Sequence, residues 1–280
     1  MESPPIVKTR TRPRRPAFRY YGAKWRLAPE ILKLFPPHGA YLEPCFGSGA
    51  VLAYKPPSKI EIVNDINGRI VNFFRVLRER PNDLVRLLNL TPYARDEFEA
   101  CIEPASDPLE EARRFYSVIS MARSRSILPG DQRRDWRRGF MGSSMAKEFA
   151  KTEHLLDWAA RLKGVQIENE DALDLIERVR GLDYLIYFDP PYLKETRVLS
   201  NRYAYETTEQ WHRNAAELLN RHDGPAIVSG YPSKIYKELY EGNGWSVIDF
   251  RMSIDSPSRP DVIERLWLSP NIPEWNPRLL

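Results

Sequence analysis

Leu185–Phe188, an unbroken run of apolar, β-branched and aromatic residues, ends abruptly in Asp189-Pro190-Pro191-Tyr192. Such a run reads as a strand buried on both faces, and the two prolines forbid its continuation. Open α/β sheets place their chemistry at the carboxyl ends of strands, so Asp189 and Tyr192 are expected to project into a cleft there. A carboxylate, a rigid turn with free carbonyls and an aromatic ring suit a planar base that carries an exocyclic amine. Asp189 and the Pro190 carbonyl can accept the amine hydrogens, and the Tyr192 ring can stack on the base. An ordinary strand followed by an Asp-Pro turn would leave the same residues, so the rest of the chain must supply a cofactor site.

Ala40–Tyr54, AYLEPCFGSGAVLAY, supplies part of one. A short strand at Tyr41-Leu42 leads to Glu43-Pro44, then to Phe46-Gly47-Ser48-Gly49 and the small apolar start of a helix. Two glycines one residue apart let the backbone pass close to a ligand. No Gly-Lys-Ser/Thr follows, so this is not a phosphate loop, and the third glycine of a dinucleotide fingerprint is missing. The next strand, Lys59–Val63, ends in Asn64-Asp65-Ile66-Asn67. Asp65 follows the glycine loop at the distance from which an acid reaches ribose hydroxyls, and it is equally placed to cap the helix from Gly68. Strand, glycine loop, helix, strand and acid, with no phosphate-binding feature, suit a nucleoside cofactor without phosphates. S-adenosyl-L-methionine fits that description. Upstream, Tyr21-Gly22-Ala23-Lys24 opens a helix through Phe35, where N–H groups and a lysine can meet a carboxylate or form an ordinary surface turn.

Residues 1–17, proline-broken and basic, read as a flexible tail. Helices follow over 67–90 and 107–125. Between Arg113 and Arg138 lie eight arginines, with only Asp131 and Asp135 as acids, and Trp136, Phe140 and Met141 are interleaved. Arginine suits phosphates and guanine edges, and the aromatics can intercalate or stack. Arg125, Arg133, Arg134, Trp136, Arg137 and Arg138 are thus the candidate DNA contacts, the plainer alternative being a solvated charged face. Ser144–Leu162 reads as one helix. Asp171 follows a short strand at Val165–Ile167, and the polar loop 193–206 is long enough for a lid or a DNA contact. A helix (Thr208–Arg221), a strand (Ala226–Ser229), a helix (Ser233–Glu241) and two strands (Trp245–Ile254, Val262–Leu268) complete the chain.

In this order the motifs resemble those of the Dam-type, DPPY-bearing DNA adenine-N6 methyltransferases, over roughly residues 18–270. The resemblance implies a doubly wound, mostly parallel, seven-stranded α/β sheet with one antiparallel strand. It places the methyltransferase core at 18–90 and 156–280 and a helical target-recognition insertion at 91–155. It gives Tyr21, Gly22 and Lys24 to the N-terminal cofactor motif, and Glu43, Phe46, Gly47 and Gly49 to the FxGxG loop. Asp65 with Ile66 falls at the ribose-binding acid, Asp171 near the cofactor adenine, and Asp189, Pro190, Pro191 and Tyr192 at the catalytic motif. Ala23 stands where the family usually has a second glycine. The insertion lacks the Asn-Gly-rich wording of GATC-specific members, so no recognition sequence is carried over. The implied reaction moves a methyl group from S-adenosyl-L-methionine to the N6 amine of an adenine flipped out of double-stranded DNA, without a covalent enzyme intermediate.

Other readings are cytosine-N4 methylation, where Ser-Pro-Pro-Tyr is commoner, and a non-catalytic DNA-binding protein with a relic cofactor fold. A protein-glutamine methyltransferase would carry Asn-Pro-Pro-Tyr. In 280 residues with 42% hydrophobic and 29% charged residues, there is material for a proper core. The two cysteines, Cys45 and Cys101, form no metal or disulfide pattern. No stretch approaches the ~20 apolar residues of a membrane span, and no signal-peptide region is evident. The expectations are therefore a cytoplasmic, prokaryotic or phage-encoded monomer with no metal and no membrane partner, acting on duplex DNA, with a cognate restriction endonuclease as one further partner.

Overall fold

The computed structural model describes residues 12–123, 136–137, 144–196, 205–252 and 262–272. Its contacts divide the chain into two compact units. One comprises Met1–Ala28, Gly47–Lys55 and Gly68–Val165; the other comprises Pro29–Phe46, Pro56–Asn67 and Gln166–Leu280. The strands are β1 (Ala40–Glu43), β2 (Ile60–Asn64), β3 (Val165–Glu168), β4 (Tyr184–Phe188), β5 (Ala226–Gly230), β6 (Ser246–Met252) and β7 (Val262–Leu268). The helices are α1 (Ala28–Leu32), α2 (Ala50–Tyr54), α3 (Gly68–Glu79), α4 (Pro81–Leu90), α5 (Arg95–Ala100), α6 (Pro108–Met121), α7 (Met145–Phe149), α8 (His154–Arg161), α9 (Ala172–Arg178), α10 (Glu209–Asn220) and α11 (Lys234–Leu239).

The sheet unit is built on β4, whose Leu185, Ile186, Tyr187 and Phe188 are fully buried. Burying each such side chain is worth about 1.5–3 kcal/mol, which explains the apolar run. The strand order is β3-β2-β1-β4-β5-β7-β6. β1 runs parallel to β2 and β4, β4 runs parallel to β5, and β7 is antiparallel to both its neighbours. The sheet is thus the expected doubly wound, mostly parallel one, with β7 reversed. On one face Ile186 and Phe188 join a core with residues of α9, α10 and α11, including Leu175, Ala215, Leu219 and Tyr236. On the other, Phe35 packs its ring 5.9 Å from Tyr41 and 6.1 Å from Tyr187. The order turns at β1 and β4, so the crevice of such a sheet opens at their carboxyl ends.

The helical unit packs α3 and α4 on α6, with α8 on α3 and α4. α6 starts where Asp107 caps it, its side chain accepting from Glu110 N at 2.8 Å, with Pro108 in the first turn. Phe18 is the hub of the core here, 5.0 Å from Phe115 and 5.3 Å from Phe73 by ring centroid.

Three expectations change. The flexible tail was drawn to residue 17, but Pro13 and Ala17 are buried. Arg12 lies 3.8 Å over the Tyr54 ring, and the Arg15 carbonyl accepts from Trp158 Nε1 at 2.8 Å. Residues 1–11 lie outside the described residues. Second, α3 and α4, assigned to the core from sequence, group with the helices of the insertion, because α3 buries Ile70, Phe73, Phe74 and Leu77 in that unit. Third, the single helix expected over 144–162 is two, α7 and α8. Thr152 sits between them, donating to Asn89 Oδ1 at 2.7 Å.

Candidate active site

In the sheet unit the predicted acids collect at strand ends. Glu43 closes β1, buried, accepting from Tyr41 Oη at 2.9 Å. Burial and then Glu43 push the Tyr41 phenol well up, so it keeps the proton it donates. Asp65 follows β2 and accepts from Asn67 N at 2.9 Å. Asp171 caps α9 through Leu173 N at 2.8 Å and accepts from Trp211 Nε1 at 3.3 Å. The Trp211 ring in turn stacks on Phe188, centroids 5.8 Å apart. Asp189 follows β4; its Oδ1 accepts from Ser229 Oγ at 2.7 Å, with Tyr192 Oη 3.2 Å away. Tyr187 Oη donates to Ser229 Oγ at 3.3 Å, its phenol pushed well up by burial and then by Asp189.

Asn64 positions the loops after β1 and β3 in a way the sequence does not mark. Asn64, fully buried, donates to the carbonyls of Pro44 (2.9 Å) and Glu170 (3.1 Å) and accepts from Glu170 N at 3.0 Å. It staples the loops that follow β1 and β3 to the end of β2. Phe46, also buried, is fixed by its N–H on the Asn64 carbonyl at 2.8 Å. Cys45 is half-buried; burial, then Asp65, Asp189, Asp171 and Glu43, hold its thiol well above the usual range. Ile66 is 45% exposed.

The turn Asp189–Tyr192 is held from both sides. Thr207 Oγ1 donates to the Pro191 carbonyl at 3.2 Å and is bonded to His212 Nε2 at 2.9 Å, with Tyr236 Oη on the other ring nitrogen at 2.9 Å. Among the described residues no hydrogen bond reaches the Pro190 carbonyl. Tyr192 is buried, edge-on to Tyr231 with ring centroids 4.7 Å apart, and its hydroxyl also meets Glu264 of β7.

In the helical unit Gly22, Gly47 and Gly49 take φ of 76°, 52° and 70°, a left-handed backbone that favours glycine. Tyr21 is half-buried. Lys24 is 7% exposed and donates to the Gly22 carbonyl at 3.0 Å. Ser48 Oγ is buried with no partner among the described residues. A buried hydroxyl without a partner, in a loop shaped by left-handed glycines, fits a polar ligand lying against the backbone. Trp136 packs against Tyr93, centroids 5.7 Å apart, and beneath Arg95 at 5.3 Å. Arg137 is tied by its backbone, N–H to Met121 O at 2.8 Å and carbonyl from Tyr93 Oη at 2.5 Å. It lines a cavity of about 240 Å³ together with Arg15, Arg19, Lys151, Tyr116 and Phe149. Arg125, Arg133, Arg134 and Arg138 lie outside the described residues.

Comparison with known proteins decides the family. The profile of D12 class N6 adenine-specific DNA methyltransferases matches residues 20–254, most of the chain. The chain belongs to that family. A Type II methyltransferase of Lactococcus lactis subsp. cremoris is 24% identical over 245 residues, 81% of this chain and 84% of the relative. The solved structure of SMU.472, described as a methyltransferase and complexed with SAH, matches 90% of the chain with a TM-score of 0.40 and 11% identity. The chain spans about half of that protein, 54% of its length.

As a D12-class enzyme, the chain transfers a methyl group from S-adenosylmethionine to the N6 amine of adenine in DNA. No described helix is long and apolar enough to cross a membrane, and no group of three or more His, Cys, Asp or Glu among the described residues is arranged to hold a metal ion.

Proposed function

We propose that Asp189 and the Pro190 carbonyl receive the two hydrogens of the target amine, in a site-specific methyltransferase acting on duplex DNA. The observation that carries this reading is the unlike treatment of the two proline carbonyls. Pro191 O is occupied by Thr207, whereas among the described residues Pro190 O, beside Asp189, accepts nothing. Two acceptors side by side match one NH₂ group. The amine lone pair is conjugated into the ring; drawing both hydrogens to one side favours a pyramidal nitrogen and stabilises the charge that develops on it. S-adenosylmethionine supplies an electrophilic methyl group. The Tyr192 ring gives the flipped base a stacking surface, offsetting an unstacking cost of a few kcal/mol.

Asp65 is assigned to the ribose hydroxyls and Ile66 to one face of the cofactor adenine, which would cover its exposed side chain, with Asp171 nearby. Glu43 and Phe46 are assigned to shaping the loop. Tyr21, Gly22, Lys24, Gly47 and Gly49 are assigned to the remainder of the cofactor motif, with the buried ammonium of Lys24 suited to a carboxylate. Arg15, Arg19, Arg137 and Lys151, four cations around a cavity whose lining includes one acid, Glu148, are assigned to DNA phosphates. The Type II relative makes pairing with a cognate restriction endonuclease a natural context.

The test is single-molecule sequencing of DNA from adenine-methylation-free cells expressing the chain. N6-methyladenine confined to one short motif is expected. Modified cytosine would overturn the base assignment, and methylation of adenines irrespective of context would overturn site specificity.

A further inference from the structure

Glu264 lies on the reversed strand β7 and is 7% exposed. It shares its parity with Leu266 and Leu268, which are buried, so its carboxylate is on a core-facing side of the strand. Arg265, of opposite parity, turns away and makes a two-pronged pair with Asp249 at 2.6 and 2.8 Å. A carboxylate on a core face is costly unless donors meet it, and Tyr192 Oη is one such donor. The β5–β7 register pairs Ser229 with Leu266 and Gly230 with Arg265, which brings Glu264 level with the residues that follow β5. There Tyr231 braces the Tyr192 ring edge-on, so the phenol is held at its hydroxyl and along its ring.

The Tyr192 hydroxyl has one proton and two carboxylate neighbours, Asp189 at 3.2 Å and Glu264 closer. The proton goes to the nearer acceptor. We propose that Glu264 is a positioning residue for methyl transfer: it anchors the Tyr192 hydroxyl, fixing the ring face on which the target base stacks and drawing the phenol proton away from Asp189. Glu264 acts through Tyr192, and the inference rests on the assignment of Asp189–Tyr192 as the catalytic turn.

The test measures tritiated methyl transfer onto PCR-amplified DNA of mixed sequence, at saturating donor, with the full-length protein. Glu264→Leu should lower kcat about tenfold, the worth of one lost buried hydrogen bond. Donor KM and DNA affinity should stay within about twofold, a split that general loosening of the fold would not give. Glu264→Gln, which keeps an acceptor oxygen, should return kcat to within about threefold of wild type. Tyr192→Phe should cost about as much as Glu264→Leu, and the double variant no more than either alone, because both remove one interaction. A double variant about a hundredfold down, or Gln as slow as Leu, overturns the anchor. Should Glu264→Leu fail to fold, the pair Tyr192→Phe and Tyr192→Phe/Glu264→Gln decides, equal rates supporting the anchor and unequal rates sinking it. Asp189→Ala run alongside separates the two levels: wild-type turnover there removes the catalytic turn itself, whereas an inactive Asp189→Ala with multiplicative Glu264 and Tyr192 effects removes only the anchor.

Discussion

The acids at the ends of the sheet's strands are held differently from those of the helical unit. In the helical unit Glu110 takes a two-pronged hydrogen bond from Arg113, both contacts at 2.7 Å, and another from Arg114 at 2.8 Å. Glu97 shares Arg113, and Glu111 takes Arg69. In the sheet unit Asp171 is met by a backbone N–H and an indole, and the hydrogen bonds described to Asp189 come from hydroxyls. An arginine pair fixes and neutralises a carboxylate at once. Hydroxyls and amides orient it and leave most of its charge for something else. The first treatment makes a scaffold, the second a site.

The sharpest way to break that contrast is Asp189→Ala. Methyl transfer should fall by at least about 10³-fold, the scale of losing a transition-state acceptor, with donor binding changed only a few fold. Tritium incorporation at saturating donor reads this, and persistent turnover would make Asp189 a scaffold acid like Glu110. Asp65→Ala comes next, weakening donor binding by on the order of 1.5–3 kcal/mol through the ribose hydroxyls. Calorimetric titration with donor alone checks it; an unchanged dissociation constant would leave Asp65 a helix-end acceptor and nothing more.

Smaller effects belong to the helical unit. Arg137→Ala should weaken binding to cognate and scrambled duplexes alike and flatten the slope of log K against log salt by about 0.9. Loss confined to the cognate duplex would instead make Arg137 a base reader. Glu110→Gln should lower stability by about 1 kcal/mol at neutral pH, the scale of a partly exposed ion pair. Arg113 first, then Arg114, lowers the Glu110 carboxyl from 4.5 to about 2. A depressed carboxylate stabilises the fold above its unfolded value and stops doing so as pH falls through its folded one. The gap between the two proteins' melting curves should therefore hold down to pH 4.5 and close towards pH 2. A constant gap would mean that the Glu110 charge is not what matters.

What could be read from sequence follows physical reach. β4 and its turn were legible because burial on both faces and two prolines leave a local imprint. The acids at 65, 171 and 189 were legible as strand ends. The grouping of α3 and α4 was not: amphipathicity says that a face is covered, never by what, and their partner α6 lies tens of residues further along the chain. Arg12–Ala17 read as mobile because prolines hide the one signal, Ala17-Phe18, that leads into the aromatic core. Thr207, His212 and Tyr236 converge on Pro191 only in three dimensions. Glu264 left a trace, since alternation in VIERLWL puts it on the face of Leu266 and Leu268, where an acid is out of place.

Cys45 shows what the gathered acids mean for the protein's own chemistry. An enzyme that handles an activated methyl group is endangered by any thiolate of its own, the strongest nucleophile proteins possess. Burial first, and then the charges of Asp65, Asp189, Asp171 and Glu43, push this thiol well above its ordinary value. Burial and the anionic strand ends together thus disfavour the thiolate form of the one half-buried cysteine.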